Sequence, residues 1–228
     1  MKVLGVLGGM GPAATVAFLA RVQALTPAEG DADHIRVVMD LNPQVPDRNT
    51  RAGEAEAVLG AMAARLKVAG AQVLAMPCNT AHAQAAGIRE AGLPFIDMVE
   101  ATADAAVRGG ARRIGVLATP GGERLYAAAL DRRGAEAVLL AGADRAAFMA
   151  LVYGVKRGEV GAEARAGMAR LAHALAGALA GAGGGAGAEA LIAGCTEVPL
   201  LLDAEAAPLP LTDSAEVLAQ ACVEACRG

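Results

Sequence analysis

Tryptophan is absent from this sequence and aromatic residues make up 2% of it, although 55% of its residues are hydrophobic. The apolar character therefore comes from small aliphatic side chains, which suit close packing of helices on sheets and argue against a fibrous or disordered chain. Charge imbalance is also slight: 20 basic residues stand against 24 acidic ones, a formal net charge of -4. No basic run is long enough to track a phosphate backbone, so nucleic acid is not an expected partner. Of four cysteines, none forms a close CxxC pair. Neither a disulfide framework nor a zinc site is expected, and a reducing cytoplasm is the expected compartment. The uncharged stretch 3–20 after Lys2 imitates a signal peptide or a membrane helix. Gly8, Gly9, Gly11 and Pro12 interrupt it, and such punctuation suits a strand, a loop and then a helix, so no membrane association is expected.

What is present is an alternation of short Val/Ile/Leu-rich runs with longer helical stretches, the pattern of an α/β chain with parallel strands and crossover helices. Strands are expected at 3–7, 35–40, 72–76, 95–98, 114–118, 137–141, 190–193 and 209–212. On the helices, Val58, Met62 and Leu66 share one face before Gly70, and Met168, Leu171, Leu175 and Leu179 share another. Asp144 and Ser214 are expected N-caps. The stretch 181–187 reads as a loop or frayed helix end without a function.

The two halves of the chain echo each other. VLGVLGGMGP at 3–12 parallels RIGVLATPGG at 113–122, and AMPCNT at 75–80 parallels IAGCTE at 192–197. Nearly the same length of chain separates Gly5 from Cys78 as Gly115 from Cys195. The expectation is two pseudo-symmetric lobes, each a mainly parallel four-stranded sheet flanked by helices, with residues 1–100 plus 208–228 in one and 101–207 in the other. Ligands of parallel sheets bind beyond the carboxyl ends of the strands. Lobes facing each other about a pseudo-twofold axis would place Cys78 and Cys195 on opposite sides of one cleft.

Each of these cysteines stands between a strand end and an expected helix start, where unpaired N–H groups and the helix dipole favour a thiolate. The plain alternative is a small buried hydrophobe; matched placement of two such residues favours chemistry. Cys222 and Cys226, four apart on the last helix, are assigned to packing. Opposed thiols suit inversion of a carbon centre, which needs a base on one face and an acid on the other. Gly9, Gly11 and Ala14, with Asp40 ending the next strand, satisfy a weak dinucleotide fingerprint. Equally, Pro12 reads as the first residue of a helix whose entry turn, at Met10 and Gly11, binds a small carboxylate. His82, four residues after Cys78, reads as a thiol partner or as packing support, and packing is favoured because no acyl-transfer motif accompanies it. His34 and His173 have no convergent partners.

The segments GVLGGMGP at 5–12, NPQVPDRN at 42–49, PCNTAH at 77–82, YGVKRG at 153–158, GCTEVPLLL at 194–202 and PLTDS at 210–214 resemble, in order and separation, the aspartate/glutamate racemase superfamily. Gly8-Gly9 and Glu197 stand where its glutamate racemases carry Asp-Ser and His, so the aspartate racemase branch is the more similar. The resemblance implies a two-lobed enzyme, often a homodimer, that racemises a small acidic amino acid without pyridoxal phosphate, metal or nucleotide. It implies Cys78 and Cys195 as base and acid, with Asn79, Thr80 and Thr196 on the substrate. Arg48 and Lys156 would hold carboxylates, although by themselves both read as ordinary surface charge. Asp47 and Glu197 would orient neighbours. Thr119 is a further candidate contact, while Gly122 departs from the Thr common at that place. Two other readings stay open: a cysteine-dependent isomerase or decarboxylase of a small diacid, and an amino-acid-binding protein without turnover.

Overall fold

The computed structural model describes residues 1–48, 50–177 and 187–228. Asn49, Leu179 and the expected loop at 181–187 other than Gly187 lie outside the described residues. The chain divides into two compact units, Met1–Ala101 with Ala215–Gly228, and Thr102–Ser214.

In the first unit β1 (Leu4–Gly8), β2 (Val37–Leu41), β3 (Val73–Ala75) and β4 (Phe95–Ile96) form a parallel sheet in the order β2-β1-β3-β4. Side chains alternate across a strand, and along β1 and β3 both faces are buried. Leu4 and Val6 pack with Phe18 and Val22 of α1 (Pro12–Leu25) and with Leu218 and Cys222 of α8 (Ser214–Arg227). Leu7 packs on the other face with Leu59 and Met62 of α2 (Ala52–Val68). β3 repeats the division, sending Val73 and Ala75 one way and Leu74 the other. Double burial is why these strands read as continuous apolar runs.

The second unit repeats the plan. β5 (Arg113–Leu117), β6 (Glu136–Leu139), β7 (Ala190–Ala193) and β8 (Leu211–Asp213) lie parallel in the order β6-β5-β7-β8. Leu117, Leu191 and Ala193 pack against Phe148 and Val152 of α6 (Gly142–Lys156) and Met168, Leu171 and Leu175 of α7 (Ala162–Gly177). α5 (Pro120–Asp131) follows β5, and its Tyr126 and Leu130 are fully buried. Two parallel four-stranded sheets flanked by helices is thus the observed α/β fold.

Several boundaries differ from expectation for local reasons. Residues 208–214, expected with the N-terminal lobe, belong to the second unit, because β8 pairs with β7 through Leu191↔Leu211 and Ala193↔Asp213. β4 stops at Ile96 because the next residue turns to capping: Asp97 Oδ1 accepts the backbone N–H groups of Val99 and Glu100 at the start of α4 (Met98–Val107). Asp144 lies in the first turn of α6, whose N-cap is Ala141. Ser214 is the first residue of α8, and its hydroxyl donates to Ala193 O, the last residue of β7, at 2.7 Å. Among the described residues no helix is long and apolar enough to cross a membrane.

Candidate active site

In the first unit, three loops at the carboxyl edge of the sheet share one core. Met10 after β1, Val45 after β2 and Cys78 after β3 are buried in the same apolar cluster. The turn from Gly8 to Pro12 is built around Thr15, which sequence reasoning passed over: Gly9 N donates to Thr15 Oγ1 at 3.0 Å, and Thr15 Oγ1 donates to Gly11 O at 3.0 Å. Gly9 has φ +98°, and a Cβ there would stand 2.7 Å from Asn42 N. That conformation and that contact both require glycine. Met10 and Gly11 are buried beside it.

Neither cysteine is followed directly by an α-helix, contrary to expectation. A 3-10 turn, Thr80–Gln84, follows Cys78, and a shorter one, Val198–Leu200, follows Cys195. Single turns of this kind sum too few peptide dipoles to favour a thiolate as a full helix would.

Cys78, Asn79 and Thr80 are all buried. His82 fixes their turn. Met98 N donates to His82 Nε2 at 3.1 Å, which requires that nitrogen's lone pair, so the ring proton sits on Nδ1 and is donated to Cys78 O at 2.9 Å. The ring also stacks on Phe95 with centroids 5.3 Å apart. Burial lowers its pKa, with Asp97 acting in the opposite direction. Both ring nitrogens are engaged with backbone groups, so His82 is a clamp on the cysteine turn and not a base for the thiol.

In the second unit Cys195 lies just past β7, and the sheet edge is held by Gly194 N donating to Leu117 O. Cys195 Sγ donates to Glu197 Oε2 at 2.9 Å, and Thr196 Oγ1 reaches the same oxygen at 3.4 Å. All three side chains are buried. Thr119, also buried, caps α5 by accepting Gly122 N–H at 3.4 Å. A Cβ on Gly122 would stand 3.0 Å from Ala118 Cβ and 3.3 Å from Gly194 O. The departure at Gly122 therefore accompanies close packing of this helix start on the strand that leads to Cys195.

The candidate cations differ in setting. Arg48 is half-buried, with Nη1 donating to Val45 O and Pro46 O at 3.4 and 3.3 Å, while its Nε is buried and has no hydrogen-bond partner. Asp47 Oδ1 accepts Thr50 N–H and so shapes the Arg48 loop. Lys156 ends α6, exposed, with Nζ 5.5 Å from the Tyr153 ring centroid.

Sequence reasoning missed Glu123. This buried carboxylate, in the first turn of α5, meets the Arg145 guanidinium at 2.9 Å; burial pushes its pKa up and the arginine opposes that shift. Nothing in the local pattern marks it, because its partner comes from another helix. The dinucleotide alternative fares poorly: Asp40, the acidic residue it needs, is held by Arg65 Nε and Nη2 at 2.9 and 2.7 Å. Among the described residues no group of three His, Cys, Asp or Glu side chains is placed to hold a metal, and none of the four cysteines forms a disulfide.

Known proteins share this architecture. The aspartate racemase of Picrophilus torridus is 25% identical, with a TM-score of 0.79 over 100% of this chain and 95% of that one. An aspartate racemase homologue from Pyrococcus horikoshii (19% identity, TM-score 0.79, 100% of each chain) has the same fold. So does the glutamate racemase isoform RacE1 from Bacillus anthracis (22% identity, TM-score 0.69, 99% of this chain and 82% of that one). Among curated proteins, the broad specificity amino-acid racemase RacX of Bacillus subtilis (strain 168) is 33% identical over 106 residues, 43% of this chain. That match spans 47% of the relative, about half its length. The family model for Asp/Glu/Hydantoin racemase matches residues 7–222, nearly the whole sequence, and the chain belongs to that racemase family.

Proposed function

We propose that this chain is a cofactor-independent racemase of a small acidic amino acid, aspartate foremost, that moves the α-proton between Cys78 and Cys195. The observation carrying this reading is their matched position: each cysteine lies just past the third strand, in chain order, of one of two identically ordered parallel sheets. In such sheets the carboxyl edge is where ligands are bound.

The mechanism asks the two thiols to act on one α-carbon from opposite faces. A thiolate removes the α-proton and becomes a thiol, while the C–H electron pair passes into the adjacent carboxylate. The other thiol then gives its proton to the opposite face and becomes a thiolate. Nothing is consumed, and the next turnover in the reverse direction starts from the exchanged pair. Thiols suit this exchange because their ordinary pKa, about 8.5, lies near working pH. The α-C–H bond is weakly acidic, so charge developing on the carboxylate has to be stabilised as it forms. Arg48, Lys156 and the Met10–Gly11 turn are assigned to the two carboxylates; Asn79, Thr80, Thr119 and Thr196 are assigned to orienting the substrate.

Aspartate is favoured by Gly8-Gly9 and Glu197 at the positions that set this sequence apart from glutamate racemases, and by the likeness to the Picrophilus torridus aspartate racemase. A second reading, turnover of a wider range of amino acids, is favoured by the match to a broad specificity racemase. The working form is proposed to be a cytoplasmic homodimer. Chiral chromatography after incubating dialysed, chelator-treated protein with L-aspartate, L-glutamate and L-alanine tests the assignment. D-aspartate should form fastest; similar rates for all three would support broad turnover. No D-isomer from any would leave only binding, and activity that returned only with pyridoxal phosphate would end the cofactor-independent mechanism.

A further inference from the structure

The two units differ at one telling place. Two residues beyond the cysteine, the first unit has Thr80 and the second has Glu197. Glu197 is 3% exposed, its Oε2 lies 2.9 Å from Cys195 Sγ and 3.4 Å from Thr196 Oγ1, and its Oε1 is buried with no hydrogen-bond partner. The thiol is therefore the nearer of the carboxylate's two partners, and little water is there to share its charge.

We propose that Glu197 keeps Cys195 protonated in the free enzyme, which makes Cys195 the acid of the first proton transfer. Resting on the two-thiol reading above, this makes Cys78 the starting base. One proton lies between sulfur and Oε2. Removing it would leave two negative charges 2.9 Å apart in a site shielded from solvent, which is strongly unfavourable. Moving it onto the carboxylate would protonate the group that ordinarily gives up a proton more readily, by about four pKa units, to make a thiolate. Sulfur is thus where the proton rests. The consequence is a handed resting state: the enantiomer whose α-proton faces Cys78 is turned over directly, and its mirror image needs the protons redistributed first. Glu197 acts here as a positioning residue for the Cys195 proton.

Site-resolved alkylation of the full-length protein with iodoacetamide at pH 8, quantified by peptide mass spectrometry, tests this. Cys78 and Cys195 are 5% and 7% exposed, so access alone predicts similar rates. Cys195 should react slower than Cys78 by about tenfold or more, because alkylation follows the thiolate fraction. Glu197→Gln should raise the Cys195 rate by a similar factor and leave that of Cys78 unchanged, whereas Glu197→Asp, which keeps the charge, should keep Cys195 slow. Cys222 and Cys226, 0% and 1% exposed, report on the fold by staying unlabelled. Cys195 reacting as fast as Cys78 or faster in the native protein would overturn the proposal, and this comparison stands even if a variant fails to fold. An unchanged Cys195 rate in folded Glu197→Gln would do the same. Labelling needs no turnover, so a protein that racemises nothing would defeat the functional reading while this measurement still reported the state of Cys195.

Discussion

Replacing His82 separates a structural clamp from a catalytic dyad. The ring donates to Cys78 O and accepts from Met98 N, so it ties the cysteine turn to the start of α4. Its removal takes a partner from two buried backbone groups and empties the space against Phe95. Lost bonds and lost packing together put His82→Ala at ~3–5 kcal/mol of destabilisation. That is a large share of the roughly 5–15 kcal/mol that stabilises a typical domain. A pH signature accompanies it. Burial lowers the folded-state pKa of His82 below its ordinary 6.5. Just below that pH the unfolded chain takes up a proton that the folded ring refuses, so unfolding binds a proton and stability falls as pH drops; above about 6.5 the contribution is constant. His82→Gln, whose amide can donate and accept but cannot titrate, should retain part of the stability and lose this pH dependence. Urea unfolding of the native protein and both variants between pH 5 and 8 measures both effects. A native midpoint for His82→Ala, or a native-minus-Gln difference that stays flat across that range, would refute the clamp.

Cys78→Ser and Cys195→Ser should each lose nearly all racemisation, since a hydroxyl is a far weaker acid than a thiol; in heavy water each variant should exchange deuterium, if at all, into opposite enantiomers, and full racemisation by either would end the two-thiol mechanism. Arg48→Ala should lower turnover of aspartate by about ten- to a hundredfold, the worth of one charge-assisted contact of roughly 1.5–3 kcal/mol, and Lys156→Ala should penalise aspartate more than alanine. Unchanged steady-state kinetics for both would reduce them to surface charges. Gly9→Ala should cost about 1–3 kcal/mol, because φ +98° and the Asn42 backbone both oppose a side chain there; a thermal midpoint equal to that of the native protein would show that the turn relaxes freely.

The layered architecture is legible in the sequence because that information is local. Strands buried on both faces must be continuously apolar, so runs such as those at 3–7, 114–118 and 190–193 announce themselves between glycines and helical stretches. The repeated strand-to-cysteine passages at 75–80 and 192–197 likewise mark two equivalent sheet edges. The partners brought from elsewhere in the chain become visible only in the packed molecule. β8 joins the second sheet through backbone bonds to β7, which no feature of 209–212 specifies. His82 is four residues from Cys78 in either reading, but only the arrival of Met98 at its second nitrogen excludes it as a base. Asp40 completes a weak dinucleotide fingerprint until Arg65 of α2 occupies it, and Glu123 gains its meaning from Arg145 of another helix. Periodicity records which face of an element is buried; hydrogen-bond and charge partners depend on how those faces are stacked, and that stacking is settled only when the whole chain has packed.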